Sequence, residues 1–420
     1  MLITLAIFMT NILNIFYEFT NKSLSIILWG VLFIIVTIPH ALLYSSGIVS
    51  QNTLNLAGVF IVLFNLTYLF FKVGLSRKIY LSFSDSLIDS RKLMRNDKAT
   101  KWLISLYIIS FCMTIYGFIS NGFSLMNFTW AESHLVNRSI YERLASFILV
   151  STSGLAAVFY LRNEKIKLVI ATSFFIVYIL LTRSRYNIIP FAIPFLFIFL
   201  YSGNLKRVIK ALIIGVGILF LVFFLQQVRY AGTIYDLFKN YSIKDIIDNT
   251  IQFMSDGKGE FGLSRVFYYF LENDNNFNNF EEAKTYIRLF FLPFPSSILP
   301  IKPRDFAMDM WEAWHGSKTY IGTMHPTLYG DVYANFGFKG FLFGGVYGLF
   351  SSINDWVLLK QKPEIVKILY MSIIGTMYVL LARGAVYNSI ANAFWSIIIL
   401  NVFLFIMRNS KKIKFSVIKK

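Results

Sequence analysis

Charged side chains are scarce in this sequence. Asp, Glu, Lys and Arg make up 15% of its 420 residues, hydrophobic residues make up 56%, and the mean hydropathy is +0.60. This composition excludes an ordinary soluble domain and is typical of a helical membrane protein. The charge is also unbalanced, with 40 Lys and Arg against 22 Asp and Glu. Because the basic residues fall in short clusters between apolar runs, the positive-inside bias explains them and a nucleic-acid partner is not expected.

Cysteine is almost absent, and several catalytic motifs are missing. Cys112 is the single cysteine and lies in an apolar run, which excludes disulfides within the monomer and thiolate metal sites. The sequence has no Walker motif, no GxGxxG at a strand–helix junction, no HExxH and no GxSxG. The acidic pairs Glu272/Asp274 and Asp305/Asp309 have no further ligand nearby and are expected to be solvated. We therefore predict metal-independent chemistry without a cofactor.

Long apolar runs dominate what is there. A membrane span needs about 20 such residues, and the sequence predicts an all-α polytopic membrane protein with about eleven transmembrane helices, in a range of about 10–12. Met1 to Tyr17 has no basic region and no clear cleavage site, so we predict a retained span rather than a signal peptide. The predicted windows are 2–17, 24–44, 54–73, 102–122, 144–161, 168–182, 188–202, 208–228, 337–354, 367–382 and 389–407.

The basic clusters predict which side each connection faces. Lys72 to Lys101 carries eight basic residues and is predicted to be cytoplasmic, as are the clusters at 162–167, 206–210 and 360–367 and the tail 408–420. This pattern predicts three parts: membrane helices over 1–228, a large outward-facing loop over 229–336, and further helices with a basic tail over 337–420. The loop holds 13 of the 22 acidic residues, against 10 Lys and Arg, so it is the expected place for recognition and chemistry.

Arginines gather on the predicted outward side. Arg183 and Arg383 each follow an apolar segment of fifteen residues, which at about 1.5 Å per residue is shorter than the hydrocarbon core. Clustered guanidiniums at headgroup depth suit a phosphate or pyrophosphate. The alternative is snorkelling to lipid phosphates or pairing with carboxylates of the loop. The candidate anion-binding residues are Arg183, Arg185, Arg265, Arg288, Arg304 and Arg383.

Aromatic and proton-accepting residues follow in the same loop. Trp311, Trp314 and Tyr329 are candidates for packing against sugar rings, because aromatic faces suit C–H groups while their polar atoms bond hydroxyls. The alternative is the interfacial aromatic belt of any membrane protein. His325 and Asp331 lie just before a helix returns to the membrane, and either can accept a proton from an attacking hydroxyl. A lone loop histidine is more often structural.

These motifs together resemble the bacterial repeat-unit polymerases of O-antigen and capsular polysaccharide, the Wzy-type family. The resemblance lies in the many-helix body with one large outward loop and in the Thr-Arg183-Ser-Arg185 step. It also lies in the apolar, proline-broken run that begins at Arg288, and in His325-Pro-Thr-Leu-Tyr-Gly-Asp331. The proline-broken run fits either a surface resting on membrane lipid or ordinary packing on the helices. The topology alone is shared with O-antigen ligases.

The resemblance implies a membrane glycosyltransferase of the C-type fold in the bacterial cytoplasmic (inner) membrane. Such an enzyme transfers a glycan chain from undecaprenyl pyrophosphate to the terminal sugar hydroxyl of another lipid-linked unit, with inversion, in lipopolysaccharide or capsule biosynthesis. The arginines would then bind pyrophosphate, and His325, or second Asp331, would be the base. A chain-length regulator protein is a further implied partner.

Two other functions remain open. An O-antigen ligase performs the same chemistry with lipid A core as the acceptor. A flippase or other transporter of lipid-linked oligosaccharide usually shows repeat symmetry and charged residues within its helices. In this sequence we find no repeat, and we expect the ionisable residues to lie at helix ends and in one loop, which favours the enzyme.

Overall fold

The computed structural model describes residues 2–80, 97–120, 140–182, 188–200, 206, 209, 213, 217, 227, 234–255, 262–294, 299–316, 322–361 and 364–417. These residues form helices and turns and contain no strand, which confirms the predicted all-α class. Arg183 and Arg185 lie outside the described residues.

The helices are numbered in chain order. They are α1 (Leu2–Thr20), α2 (Ile26–Leu32), α3 (Ile38–Ser46), α4 (Gln51–Tyr80), α5 (Asp97–Ser120), α6 (Ile140–Thr152), α7 (Leu155–Leu161), α8 (Lys165–Thr182), α9 (Ile189–Leu200), α10 (Ile234–Asn240), α11 (Ile243–Ser255), α12 (Leu263–Glu272), α13 (Lys284–Phe290), α14 (Phe306–His315), α15 (Thr327–Phe336), α16 (Phe343–Lys360), α17 (Glu364–Ala382) and α18 (Val386–Val417). A π-helix, Phe33–Thr37, joins α2 to α3, and a 3₁₀-helix, Gly337–Leu342, joins α15 to α16.

Within the described residues, eight helical segments are long and apolar enough to cross a membrane. They coincide with eight of the predicted windows, and the multi-pass helical membrane protein is thereby confirmed. Window 188–202 contains the shorter α9, window 168–182 lies within α8, and window 208–228 lies almost wholly outside the described residues. The count of eleven and the outward side of 229–336 stay predictions. The eight segments are Leu2–Thr20, Ile26–Tyr44, Gln51–Leu75, Thr100–Gly117, Ile140–Leu161, Thr327–Lys360, Glu364–Ala382 and Val386–Met407.

The chain forms two compact units. The first comprises Met1–Asp85, Ile251–Leu359 and Met377–Ala391, and the second comprises Ser86–Thr250, Lys360–Thr376 and Asn392–Lys420. Most of the predicted loop therefore belongs to the same unit as the first four helices.

Aromatic rings form the core of the first unit. Phe60 of α4 lies 5.7 Å, centroid to centroid, from Phe267 of α12 and 5.7 Å from Tyr333 of α15. Phe64, one turn further along α4, meets Tyr329 edge-on at 5.1 Å. Each such pair contributes about 0.5–1.5 kcal/mol beyond the burial of its surface. These contacts hold the loop helices α12 and α15 directly against a membrane-type helix.

Glycines bring α16 close to α4. A Cβ atom on Gly344 would overlap the Phe64 carbonyl, and one on Gly348 would overlap the Tyr68 carbonyl. The Thr67 hydroxyl also donates to the Phe341 carbonyl at 2.9 Å. Small residues at this spacing allow two helix backbones to approach each other, as in other membrane helix pairs.

The second unit uses hydrogen bonds between helices in the same way. The Tyr107 hydroxyl donates to the Ala171 carbonyl at 2.9 Å, and the Ser153 hydroxyl donates to the Pro190 carbonyl at 3.0 Å. Gly154 faces the Ile368 carbonyl so closely that a Cβ there would displace it. Polar side chains therefore link α5 to α8 and the α6–α7 turn to α9.

Lysines give two corrections to the sequence analysis. The helix before Arg383 was predicted to have fifteen residues, beginning after Lys367. The helix α17 has 19 residues instead, and Lys367 lies inside its first turn, 3.2 Å from Glu364. Lys72 is not a cytoplasmic loop residue, because it lies within α4, fully buried beside Asp355 of α16. Ionisable residues thus occur buried inside candidate spans, contrary to expectation. Hydropathy is assigned to each residue without regard to its neighbours in space, so a hydropathy window cannot detect ion pairs such as Lys72 with Asp355.

Candidate functional site

Three candidate arginines lie in the first unit: Arg288 in α13, Arg304 just before α14, and Arg383 in the turn between α17 and α18. Residues 291–294 leave α13 in tight turns, and 299–305 lead into α14; residues 295–298 lie outside the described residues. Asp305 begins α14 by accepting a hydrogen bond from the Ala307 amide at 3.2 Å. An aspartate in this position stabilises a helix start by about 1 kcal/mol. The run is therefore held at both ends by helices.

The Arg288 side chain is 14% exposed, against 50% for Arg304. Its Cζ lies 4.4 Å from the centroid of the Tyr387 ring, and its Nη1 donates to the Pro303 carbonyl at 3.3 Å. The nearest carboxylate oxygen paired with it, on Asp305, is 3.9 Å from Nη2. Its Nε is buried and has no hydrogen-bond partner among the residues that the structure describes. Arg288 therefore retains an unused donor in a site where its charge is only loosely compensated.

Lys302 adds a second cation to the same ring. Its Nζ lies 5.4 Å from the Tyr387 centroid and donates to the Phe294 carbonyl at 2.8 Å. We call Arg288, Lys302, Tyr387 and Asp305 the Arg288 cluster. Two cations beside one aromatic ring, with one acid at a distance, form a site suited to an added anion.

Arg304 is differently placed. Its side chain is half exposed and is paired with Glu312 at 2.7 Å and Asp309 at 3.3 Å. The hydrogen bond to Glu312 raises the pKa of Arg304 above its usual value. Because two acids already engage this guanidinium, it is a weaker candidate anion ligand than Arg288.

Asp309 corrects the expectation of a solvated acidic pair. Its carboxylate is buried, lies 4.0 Å from Lys284 and pairs with Arg304. Burial raises the pKa of Asp309, and the two cations only partly offset this effect. Among the described residues, no group of three or more His, Cys, Asp or Glu side chains is placed to hold a metal ion.

Three backbone contacts position His325 and Arg383. The Thr327 amide donates to the Arg383 carbonyl at 3.1 Å, and the Met324 amide donates to the Ala307 carbonyl at 2.8 Å. Gly384 has a φ of 86°, and a Cβ on it would strike the Thr327 backbone. The α17–α18 turn therefore lies against the start of α15, two residues after His325. Both side chains are half-buried.

Both tryptophans that are predicted to pack against sugar rings are half-buried. Trp311 is half-buried, stacks on His315 at 3.8 Å and has Gly322 directly over its ring. Its Nε1 is buried without a hydrogen-bond partner in the described part of the chain. Trp314 packs edge-on against Tyr269 at 5.1 Å. Arg265, in α12, is half-buried in the same unit.

Tyr329 and Asp331 are core residues in this structure. Tyr329 is fully buried, and its hydroxyl donates to Asn65 Oδ1 at 2.8 Å. Asp331 is 2% exposed and accepts hydrogen bonds from Thr285 at 3.5 Å and Asn335 at 3.3 Å. A substrate cannot reach either side chain in this conformation.

Asp331 and Asn335 instead anchor the helix that carries Arg288. The Thr285 amide donates to Asn335 Oδ1 at 3.0 Å, and Asn335 Nδ2 donates to the Thr285 hydroxyl at 3.1 Å. These reciprocal bonds fix the first turn of α13, one turn before Arg288. Thr285, Asn335, Lys302 and Tyr387 were missed from the sequence. Of these, Lys302 lies in the proline-broken run that begins at Arg288, and Tyr387 lies four residues after Arg383.

Comparisons with models of known protein families, with curated proteins and with solved structures find no match to this chain.

Proposed function

We propose that this multi-pass membrane protein is a glycosyltransferase that polymerises oligosaccharide repeat units carried on undecaprenyl pyrophosphate, for O-antigen or capsule. The growing chain moves from one lipid carrier to the terminal sugar hydroxyl of a second lipid-linked unit. The proposed location is the bacterial inner membrane, with the reaction on its outer face and a chain-length regulator as a further partner. The fold would be of the C-type class.

The observation that carries the proposal is the state of Arg288. Its guanidinium is stacked on Tyr387, its closest acid is 3.9 Å away, and its buried Nε lacks a partner among the described residues. An arginine used only for packing usually has its donors satisfied. The exposed part of this guanidinium can donate to a diphosphate oxygen, and the Lys302 ammonium lies beside the same Tyr387 ring.

The chemistry needs this positive charge where the leaving group departs. The acceptor hydroxyl oxygen forms a bond to the anomeric carbon while the bond from that carbon to the pyrophosphate oxygen breaks, and the electron pair leaves with pyrophosphate. Cations fixed beside the departing oxygens stabilise the transition state electrostatically. Attack from the opposite face inverts the anomeric configuration.

The acceptor hydroxyl gives its proton to a base, and His325 suits this role better than Asp331. His325 is half-buried on the segment that the Met324 amide ties to α14. Asp331 is enclosed and already accepts bonds from Thr285 and Asn335. We therefore assign the base to His325 and a positioning role to Asp331.

One observation favours a transporter as the second candidate. Glu18, Lys72 and Asp355 are buried together inside candidate spans, and buried ionisable residues of this kind often mark transport pathways. A flippase of lipid-linked oligosaccharide would bind the same pyrophosphate at the Arg288 cluster. The two candidates differ in whether the glycan becomes longer.

The experiment is deletion of this gene in the source bacterium, with complementation by Arg288→Ala or by the control Lys339→Ala, an exposed lysine of the first unit. A polymerase predicts that the glycan ladder collapses to a single unit in the deletion and with Arg288→Ala, and returns with Lys339→Ala. Loss of all sugar from lipid A core, with polymer retained on the carrier, indicates a ligase. Single units retained on the cytoplasmic face indicate a flippase. An unchanged ladder contradicts the proposal.

A further inference from the structure

A cleft lies between three helices of the second unit. Its volume is about 170 Å³, and its walls come from α5, α8 and the segment around α7. Apolar side chains dominate these walls, with Ile104 and Ile108 from α5, Phe159 from α7, and Ile170 and Phe174 from α8. Ile108 and Ile170 are also exposed on the surface of the unit. Because the three helices belong to predicted spans, we expect the cleft to open toward membrane lipid.

The hydroxyl groups of the cleft walls are already engaged. The Tyr107 hydroxyl donates to the Ala171 carbonyl at 2.9 Å, and the Ser153 hydroxyl donates to the Pro190 carbonyl at 3.0 Å. Neither hydroxyl therefore has a proton left to donate to an occupant. Water is held in a cavity by two to four polar partners, and an apolar cavity stays dry. A hydrocarbon chain thus suits these walls better than water or a polar ligand.

The depth of the cleft matches part of one leaflet. Lys167 and Phe174 both line it and are seven residues apart on α8. At about 1.5 Å per residue, they are separated by about 10 Å along the helix. One leaflet contributes about 15 Å of hydrocarbon, half of a core of about 30 Å. The cleft therefore has the length to hold most of one acyl chain.

Lysines lie at one end of the cleft. Lys167 lines it, and its side chain is 52% exposed. Lys101 is exposed and lies one turn before Ile104, on the same face of α5. Arg162 Nη1 donates to the Thr100 hydroxyl at 3.0 Å, which joins the start of α5 to the end of α7. The two lysines are therefore placed at the same end of the cleft, where the predicted spans begin.

This end of the cleft carries an excess of positive charge. Residues 91–101 contain five basic residues and one acidic residue, and residues 162–167 contain three basic residues and one acidic residue. Glu164, the acid of the second segment, lies 2.9 Å from Lys167. An ion pair on the surface contributes at most about 1 kcal/mol, and an ammonium has three donors. Lys167 can therefore bind a further anion.

We propose that the cleft binds an anionic phospholipid of the cytoplasmic leaflet. One acyl chain occupies the space between α5, α7 and α8, and the phosphate lies between Lys101 and Lys167. The two segments that carry the lysines belong to clusters predicted to be cytoplasmic, and anionic lipids on that side bind to basic pockets between helices. A zwitterionic lipid would bring its own cation beside the lysines and bind more weakly. This proposal does not depend on the glycosyltransferase function.

The test is photo-crosslinking of the full-length protein in phosphatidylcholine nanodiscs. A small fraction of the lipid carries a diazirine at the end of one acyl chain, on either a phosphatidylglycerol or a phosphatidylcholine head. We expect the phosphatidylglycerol probe to label the cleft walls of α5 and α8, as mapped by mass spectrometry, and the phosphatidylcholine probe to label them much less. Equal labelling of the walls by both probes, or label spread evenly over the lipid-facing helices, overturns the proposal.

The contribution of the head group is measured with exposed lysines, whose replacement leaves the packing of the helices unchanged. Lys101→Gln and Lys167→Gln should each weaken the apparent affinity of the phosphatidylglycerol probe for the cleft by about fivefold. The control is Lys239→Gln, an exposed lysine of α10 in the same unit, which should label as the unaltered protein does. Unchanged labelling when both Lys101 and Lys167 are replaced overturns the proposal.

The place of the acyl chain is tested on two neighbouring residues of α8. Ile170→Trp should fill the cleft and remove the label from its walls, because Ile170 is one of the wall residues. Val169→Trp is the matched control, since Val169 is 63% exposed and is not a wall residue. It adds the same ring and should leave the labelling intact. Equal labelling of the walls in both variants contradicts an acyl chain in the cleft.

Discussion

The guanidinium of Arg288 stacks on the ring of Tyr387, with 4.4 Å between Cζ and the ring centroid. The two residues are far apart in sequence, and the contact joins the helix α13 to the first turn of α18. It keeps the arginine in one orientation without neutralising its charge. A guanidinium prepared in this way loses little conformational freedom when it binds an anion.

Replacing Tyr387 tests whether its ring holds Arg288 ready to bind an anion. Tyr387→Leu is expected to weaken binding of the lipid-linked donor by roughly 2- to 30-fold, because a cation–π contact is worth about 0.5–2 kcal/mol. Tyr387→Phe keeps the aromatic face and should bind almost as the unaltered protein does. The measurement is the apparent Kd for undecaprenyl pyrophosphate in detergent. Equal loss in both variants would assign the effect to the hydroxyl instead of the ring.

The anchor of α13 is tested at Thr285. Thr285→Val removes the hydroxyl that contacts Asp331 and Asn335, and it leaves buried polar atoms without partners. We expect a loss of about 1–3 kcal/mol in the free energy of unfolding, together with weaker donor binding. Thr285→Ser keeps the hydroxyl and should restore most of both. Unfolding in denaturant and the donor Kd are the readouts, and unchanged values in Thr285→Val would contradict the positioning role.

Gly384 tests the contact between the α17–α18 turn and α15. Gly384→Ala is expected to destabilise the protein by about 1–3 kcal/mol, because a φ of 86° is strained for any residue with a Cβ. The new methyl group would also strike the Thr327 backbone. Gly74→Ala is the matched control, since a Cβ there meets nothing within 4 Å. A Tm for Gly384→Ala equal to that of Gly74→Ala would contradict this account of the turn.

Asp309 predicts a pH dependence. Burial raises its pKa in the folded state, so the folded chain holds this proton more tightly than the unfolded chain. Its contribution to stability is therefore full below the ordinary carboxyl range and is lost as the pH rises through the raised pKa. Asp309→Asn removes this loss. The measurement is Tm against pH for both proteins.

Asp245 provides the opposite case for comparison. Hydrogen bonds from the Ser242 hydroxyl and amide lower its pKa, so its contribution is present above the ordinary carboxyl range and is lost as the pH falls. The unaltered protein should lose stability relative to Asp309→Asn as the pH rises, and gain it relative to Asp245→Asn. A gain relative to Asp309→Asn would show that Lys284 and Arg304 outweigh burial.

The sequence predicted the spans well where hydropathy alone decides them. The window 54–73 lies within α4, and the window 367–382 lies within α17. Local composition cannot show partners, however. Lys72 scored as a loop cation because its acid, Asp355, is far away in the chain.

The candidate site was only partly predictable for the same reason. The proline-broken run drew attention to Arg288, but nothing near it in sequence indicates Tyr387. Tyr329 and Asp331 are polar and were predicted to face a substrate. The helix α15 is nevertheless almost entirely buried, because aromatic rings and paired amides form the core of the first unit. Polar residues in such a core cannot be distinguished from exposed ones by hydropathy.

The most direct measurement of the central claim uses purified protein and the lipid-linked unit that accumulates when the gene is deleted. We expect the unaltered protein to lengthen the glycan and to release one undecaprenyl pyrophosphate for each transfer. Arg288→Ala should be slower by about 10²–10³-fold, the usual effect of removing one group that stabilises a developing charge. Lys339→Ala should be unaffected. Extension by Arg288→Ala at the normal rate, or no extension by the unaltered protein, would contradict the account.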